Sequence, residues 1–181
     1  MQLRSFFSPL ARALPLALLA LPFACDELDN FDVPVSGAAV IPEATLLDEL
    51  IGLVPFDGFD DITFEQSFAN QGVSPDQVDS VKVASFTIVV ESPEGQTLDF
   101  VDEVAFFASA PGLDDVRIAS ASIPDGVTSV ELTVDDVELE AYATASSMTV
   151  RAEVEGHRPD VETKLRADVV FDVDVTIPGC E

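Results

Sequence analysis

Residues 165–177 read LRADVVFDVDVTI, and the order of these thirteen residues decides the fold class. Leu165, Ala167, Val169, Phe171, Val173, Val175 and Ile177 take every second position; Arg166, Asp168, Asp172, Asp174 and Thr176 take the others together with Val170. A period of two sends successive side chains to opposite faces of an extended chain, so this segment predicts a strand with one buried and one wet face. Burial of a single face favours antiparallel pairing, because parallel strands covered on both sides read as unbroken apolar runs. The same alternation recurs in VELTV at residues 130–134 and in MTVRAEVE at residues 148–155.

Working outward, residues 31–36, 81–91, 104–109 and 116–123 are further strand candidates. Turn chemistry separates them at Ser92-Pro93-Glu94-Gly95, Ala110-Pro111-Gly112 and Pro124-Asp125-Gly126. Strands at this spacing predict an all-β fold, a mainly antiparallel β-sandwich or an open barrel, with one or two short helices. The helices are expected over residues 43–53, where Leu46, Leu47, Leu50 and Leu53 share a helical face, and over residues 137–145, with Asp135-Asp136 as the cap and Leu139 and Tyr142 facing the sheet. Ser74-Pro75-Asp76-Gln77 fits a serine-capped turn with proline in its first position. Pro34 and Pro42 bracket the first strand, which predicts an edge position, since proline donates nothing to a central ladder.

The chain has 181 residues, 48% of them hydrophobic, enough for one core; 34 acidic residues stand against 8 basic ones, for a formal net charge of −26. A mean hydropathy of +0.30 argues against disorder, because the acids are interleaved with apolar residues. So negative a globule repels phosphate backbones, and nucleic acid is not an expected partner. The ordinary role of so many carboxylates is a solvated surface.

The first 24 residues have a separate character. Arg4 and Arg12 are their only charges, and residues 13–24 form an uninterrupted apolar run of twelve. This is the layout of a secretory signal. At about 1.5 Å per residue such a helix reaches roughly 18 Å, short of a hydrocarbon core of about 30 Å. The run ends in Leu21-Pro22-Phe23-Ala24-Cys25, which resembles the lipobox of bacterial lipoproteins, with Pro22 and Phe23 in place of the more usual small or aliphatic residues. The resemblance covers residues 1 to about 26. It implies export, cleavage before Cys25 and acylation of that cysteine, so that acyl chains bind a membrane of the cell envelope, inner or outer. Its consequence is a division into a signal peptide (1–24), a lipidated tether (25–30) and a single sandwich-like domain (31–181). Loss of Arg4 and Arg12 with the leader leaves six basic residues against 34 acidic ones, a charge of −28. A second course stays open: Cys25 and Cys180 could form a disulfide in an oxidising compartment.

No constellation points to catalysis. The one histidine, His157, lies between Gly156 and Arg158-Pro159 and reads as a loop residue between strands. Gly-x-Ser-x-Gly, His-Glu-x-x-His and phosphate-loop patterns are missing from the sequence. One histidine and a terminal cysteine fall short of a zinc site, so no metal and no cofactor is expected. Asp57-Gly58-Phe59-Asp60-Asp61 concentrates carboxylates as calcium loops do, but fits no EF-hand spacing, and Phe59 would prefer burial. Phe86, Phe100, Phe106 and Phe107 read as core. The expected role is therefore a non-catalytic structural or protein-binding module with an envelope protein as partner. The alternatives are a calcium-binding or apolar-ligand-binding module and, behind it, a hydrolase using two carboxylates.

Overall fold

The computed structural model describes residues 29–44 and 49–176, with the backbone alone for residues 49–51. Cys25, Cys180, Ile177 and the leader, for which expectations are stated above, lie outside the described residues. Among the described residues, nine strands form two antiparallel sheets. Sheet A runs in the order β1 (Asn30–Ile41), β9 (Thr163–Val175), β3 (Val78–Ser92), β6 (Ser129–Glu131). Sheet B runs β2 (Glu49–Val54), β8 (Thr149–His157), β4 (Val101–Ser109), β5 (Val116–Ser122), β7 (Thr133–Val134). Two short helices, α1 (Glu65–Gln71) and α2 (Glu140–Ala143), complete an all-β sandwich.

Strand β9 is the axis of sheet A, paired over its length with β1 on one side and β3 on the other. Its apolar positions from Leu165 to Val175 are all buried against sheet B, and its polar positions share the outer face, as the alternation requires. Strand β1 is an edge, as Pro34 and Pro42 predicted, and extends to Ile41. Strand β3 buries Val81 and Val83, then Phe86 and Ile88; the change of parity follows from the register shift between Val83 and Ser85, a bulge that returns the apolar side chains to the core.

The sheets are joined by phenylalanines. Phe86 of β3 and Phe106 of β4 face each other with ring centroids 4.3 Å apart, and Phe59, from the connection after β2, stands edge-on to Phe86 at 6.1 Å and to Phe106 at 6.3 Å. Phe56 closes the group at 5.6 Å from Phe106. A second group joins Phe64 and Phe68 of the α1 turn to Phe171 and Phe31. Phe59 is 0% exposed. Gly37 of β1 makes room for it: a Cβ there would lie 2.8 Å from Phe59 Cδ1.

Five expectations are corrected. Residues 43–53 do not form a helix over their described part: Glu49–Val54 is strand β2, paired with β8 from Glu49 opposite His157 to Val54 opposite Ala152. Helix propensity is a weak preference, and here the edge of β8 supplies ladder hydrogen bonds that outweigh it. Residues 130–134 are not one strand. The chain crosses between sheets at buried Leu132, leaving β6 on sheet A and β7 on sheet B. The helix predicted over residues 137–145 shrinks to α2, and Asp135 and Asp136 do not cap it. They bind Arg117 and Lys82, while the Glu138 carboxylate accepts from the N–H groups of Glu140 (2.9 Å) and Val81 (2.8 Å) and from the Ser80 hydroxyl (2.7 Å). Partial burial would raise Glu138, yet these donors hold it below the usual carboxylate range. His157 is the last residue of β8 rather than a loop residue. Leu139 is buried and Tyr142 half-buried, as expected, and Phe86, Phe100 and Phe106 are core, whereas Phe107 lies half-buried beyond the bulge in β4–β5 pairing.

The acidic loop after β2 works through its backbone and its phenylalanine. Asp57 exchanges backbone hydrogen bonds with Ala38 at 2.9 and 2.7 Å, covering the outer edge of β1. Gly58 turns the chain at φ +99°, where a Cβ would lie 2.7 Å from Ser36 O. Phe59 O then accepts from Val150 N–H at 2.9 Å, and Ile62 bridges to Met148. Phe59→Ala is therefore expected to cost about 3–5 kcal/mol in urea unfolding. Joint replacement of Asp57, Asp60 and Asp61 by Asn should move stability by about 0.5 kcal/mol or less. A large loss from the asparagine variant would show that the carboxylates themselves hold the loop.

Candidate functional site

The outer face of sheet B carries a groove of about 600 Å³, within the range of ligand-sized clefts. Cross-strand register explains its shape. One row of residues crosses all five strands: Leu53, Glu153, Ala105, Ser120 and Thr133 stand opposite one another in turn. The adjacent row places Glu155 opposite Glu103 and Glu103 opposite Ser122. Small side chains at Ala105, Ser120 and Ser122 form the floor; larger ones at Leu53, Glu153 and Arg117 rise at the sides. The residues between them on the same strands, Val104, Phe106, Ala152 and Val154, point into the core, so the floor of the groove is built on β8, β4 and β5, each hydrogen-bonded on both sides, while β2 and β7 form its edges.

Charge is divided along the groove. At one end Arg117 binds Asp135 through Nε at 2.7 Å and Nη2 at 3.3 Å, and Arg151 binds Asp115. The hydrogen bond and the charge of Asp135 hold the Arg117 guanidinium above its ordinary value. At the other end Glu103, Glu153 and Glu155 are exposed, and none of them enters an ion pair among the described residues. Glu103 and Glu155 occupy directly opposed positions, where like charges are destabilising. The Ser122 hydroxyl donates to a Glu103 carboxylate oxygen at 3.5 Å.

Other acidic groups behave differently. Asp57, Asp60 and Asp61 are exposed around buried Phe59, and among the described residues no group of three or more histidine, cysteine, aspartate or glutamate side chains is arranged to hold a metal ion. Phe86, Phe100 and Phe106 fill the space between sheets and do not line the groove. His157 is exposed, and its backbone N–H donates to Phe100 O at 2.9 Å. The residues of the groove escaped sequence reading because they come from five separate strands. The one local signal was the pair Glu153 and Glu155, set on the wet face of a predicted strand.

A second concentration of acids lies where sheet A receives the start of β1. Asp174 stands opposite Asn30 on one side and Ser80 on the other, with Asp29, Asp79 and Asp172 near it. Partial burial is the leading cause that raises the Asp174 carboxyl, and repulsion from Asp29, Asp79 and Asp172 adds to it against the Val175 N–H, which lowers it. The Oδ1 atom of Asp172 is buried without a hydrogen-bond partner among the described residues. Because Asp174 takes up its proton more readily in the folded chain than in the unfolded one, the stability it contributes is lost as pH rises through the carboxylate range and regained as pH falls. Asp174→Asn is expected to raise the thermal midpoint near neutral pH by about 1–2 °C. The gain should shrink in about 1 M salt and disappear at pH values where Asp174 is protonated. Scanning calorimetry over a pH series checks this, and a lowered midpoint at neutral pH would refute it.

Neither a protein-family model nor a curated protein matches this chain.

Proposed function

We propose that this chain is an exported envelope protein, anchored to a membrane through acyl chains on Cys25, whose β-sandwich binds another protein on the outer face of sheet B without catalysing a reaction. The anchor is supported by the basic leader, the twelve-residue apolar run and the Ala24-Cys25 junction. Two or three acyl chains, at about 0.8 kcal/mol per buried CH₂, hold a protein durably where one chain holds it marginally. Only four residues separate Cys25 from Asn30, the first residue of β1, so the tether enters the fold at the edge of sheet A.

The observation that carries the binding role is the groove. Its floor and walls are side chains of hydrogen-bonded strands, held in fixed register, and it combines an exposed leucine, 61% accessible, with uncompensated charge. Surfaces of this kind on a rigid sheet suit recognition of a shaped partner.

Intact-mass measurement of the full chain, expressed with its leader in a bacterial host and extracted from membranes, tests the anchor. The expected product lacks residues 1–24 and carries the added mass of acyl chains, and Cys25→Ser should leave the protein unacylated and released from the membrane. A trimmed product without acyl mass, two hydrogens lighter than its reduced form, would instead assign Cys25 and Cys180 to a disulfide.

A further inference from the structure

We infer that the groove of sheet B takes an extended segment of a partner protein with lysine or arginine at alternate positions; this rests on the reading of that face as a binding surface. Three observations converge on such an occupant. The first is charge complementarity. Lys82, Arg117, Arg151 and Arg166 pair with carboxylates elsewhere, and among the described residues no cation, Arg158 and Lys164 included, is paired with Glu103, Glu153 or Glu155. Glu103 and Glu155 stand opposite each other on β4 and β8, so a cation placed between them replaces one repulsion by two attractions.

The second is spacing. Glu153 and Glu155 are two residues apart on one strand and share a face, which sets them roughly 6.5–7 Å apart. Alternate side chains of an extended partner have the same repeat, so basic residues at positions i and i+2 meet both carboxylates at once. The third is the wall. Leu53 stands beside Glu153 in register and is exposed, and the methylene stems of lysine or arginine can cover it while their charged ends reach the carboxylates. The trough over Ala105 and Ser120 leaves space for the backbone of the bound segment.

The test uses the full chain in detergent and two fluorescent peptides of equal composition, one alternating lysine with threonine and one with its lysines in a single block, read by anisotropy at low salt. The alternating peptide should bind saturably and more tightly than the block peptide. Joint Glu103→Gln, Glu153→Gln and Glu155→Gln should weaken it about tenfold, whereas joint Asp76→Asn, Glu94→Gln and Asp125→Asn, with the same charge change elsewhere, should leave affinity within about twofold. Equal loss in both triple variants, or equal affinity for both peptides, would mean attraction by overall charge and would overturn the inference. A neutral peptide alternating glutamine with threonine separates this from failure of the underlying reading. If it binds as tightly as the lysine peptide and Ala105→Leu, which fills the trough, blocks it, the basic partner is overturned while the binding face stands. If no peptide shows binding that Ala105→Leu blocks, both are overturned.

Discussion

Contact between Phe59, Phe86 and Phe106 is the constraint from which the sandwich is organised. Two sheets that each bury one face need side chains long enough to meet across a gap of about 10 Å, and aromatic rings meet it with large buried area and edge-to-face geometry. Phe86 comes from sheet A and Phe106 from sheet B, but Phe59 comes from neither. It descends from a connection whose backbone is bonded to β1 through Asp57 and to β8 through Phe59 itself. Asp57 and Phe59 thus tie the edge of sheet A to sheet B, and Gly37 and Gly58 are required where a side chain would collide with the Phe59 ring or with the β1 backbone at Ser36.

Alternation made most of the fold legible. Strand β9 could be read residue by residue, because a chain buried on one face and solvated on the other has no other way to arrange Leu165 through Val175. The errors fall where a local pattern competes with a tertiary partner. Residues 43–53 carry leucines at helical spacing, yet a strand forms at Glu49–Val54 because β8 offers an edge. Residues 130–134 alternate cleanly, yet the chain changes sheets at Leu132 and pairs its two halves with different neighbours. Helix α1 escaped notice because its apolar face is only Phe64 and Phe68 and its clearest mark is Gly72, the left-handed residue that ends it.

The groove was less legible than the fold, for a physical reason. Its shape depends on which residues stand side by side across five strands, and register is set by bulges and crossings that no single segment announces. Glu103 and Glu155 are separated by about a third of the sandwich in sequence and become opposed because β4 and β8 pair in the antiparallel register that also sets Val104 against Val154. By contrast, the acidic loop around Asp57 was conspicuous in the sequence, and in the fold its carboxylates stand exposed around a buried ring.

The distribution of cations separates the two outer faces. On sheet A, Arg166 of β9 is bound to Glu91 and Asp168, Asp168 also accepts from the Ser36 hydroxyl at 2.7 Å, and Lys82 of β3 is bound to Asp136 at 2.6 Å. Arg166 and Lys82 each stand near enough to an acid to offset it, while Lys164 of β9 enters no ion pair among the described residues. On sheet B the two arginines lie at one end, beside Phe107, and are matched there by Asp135 and Asp115. None of the described ion pairs includes Glu103, Glu153 or Glu155. In a chain with so few basic residues, that placement concentrates negative potential over a groove of the outer sheet surface large enough to hold another chain segment.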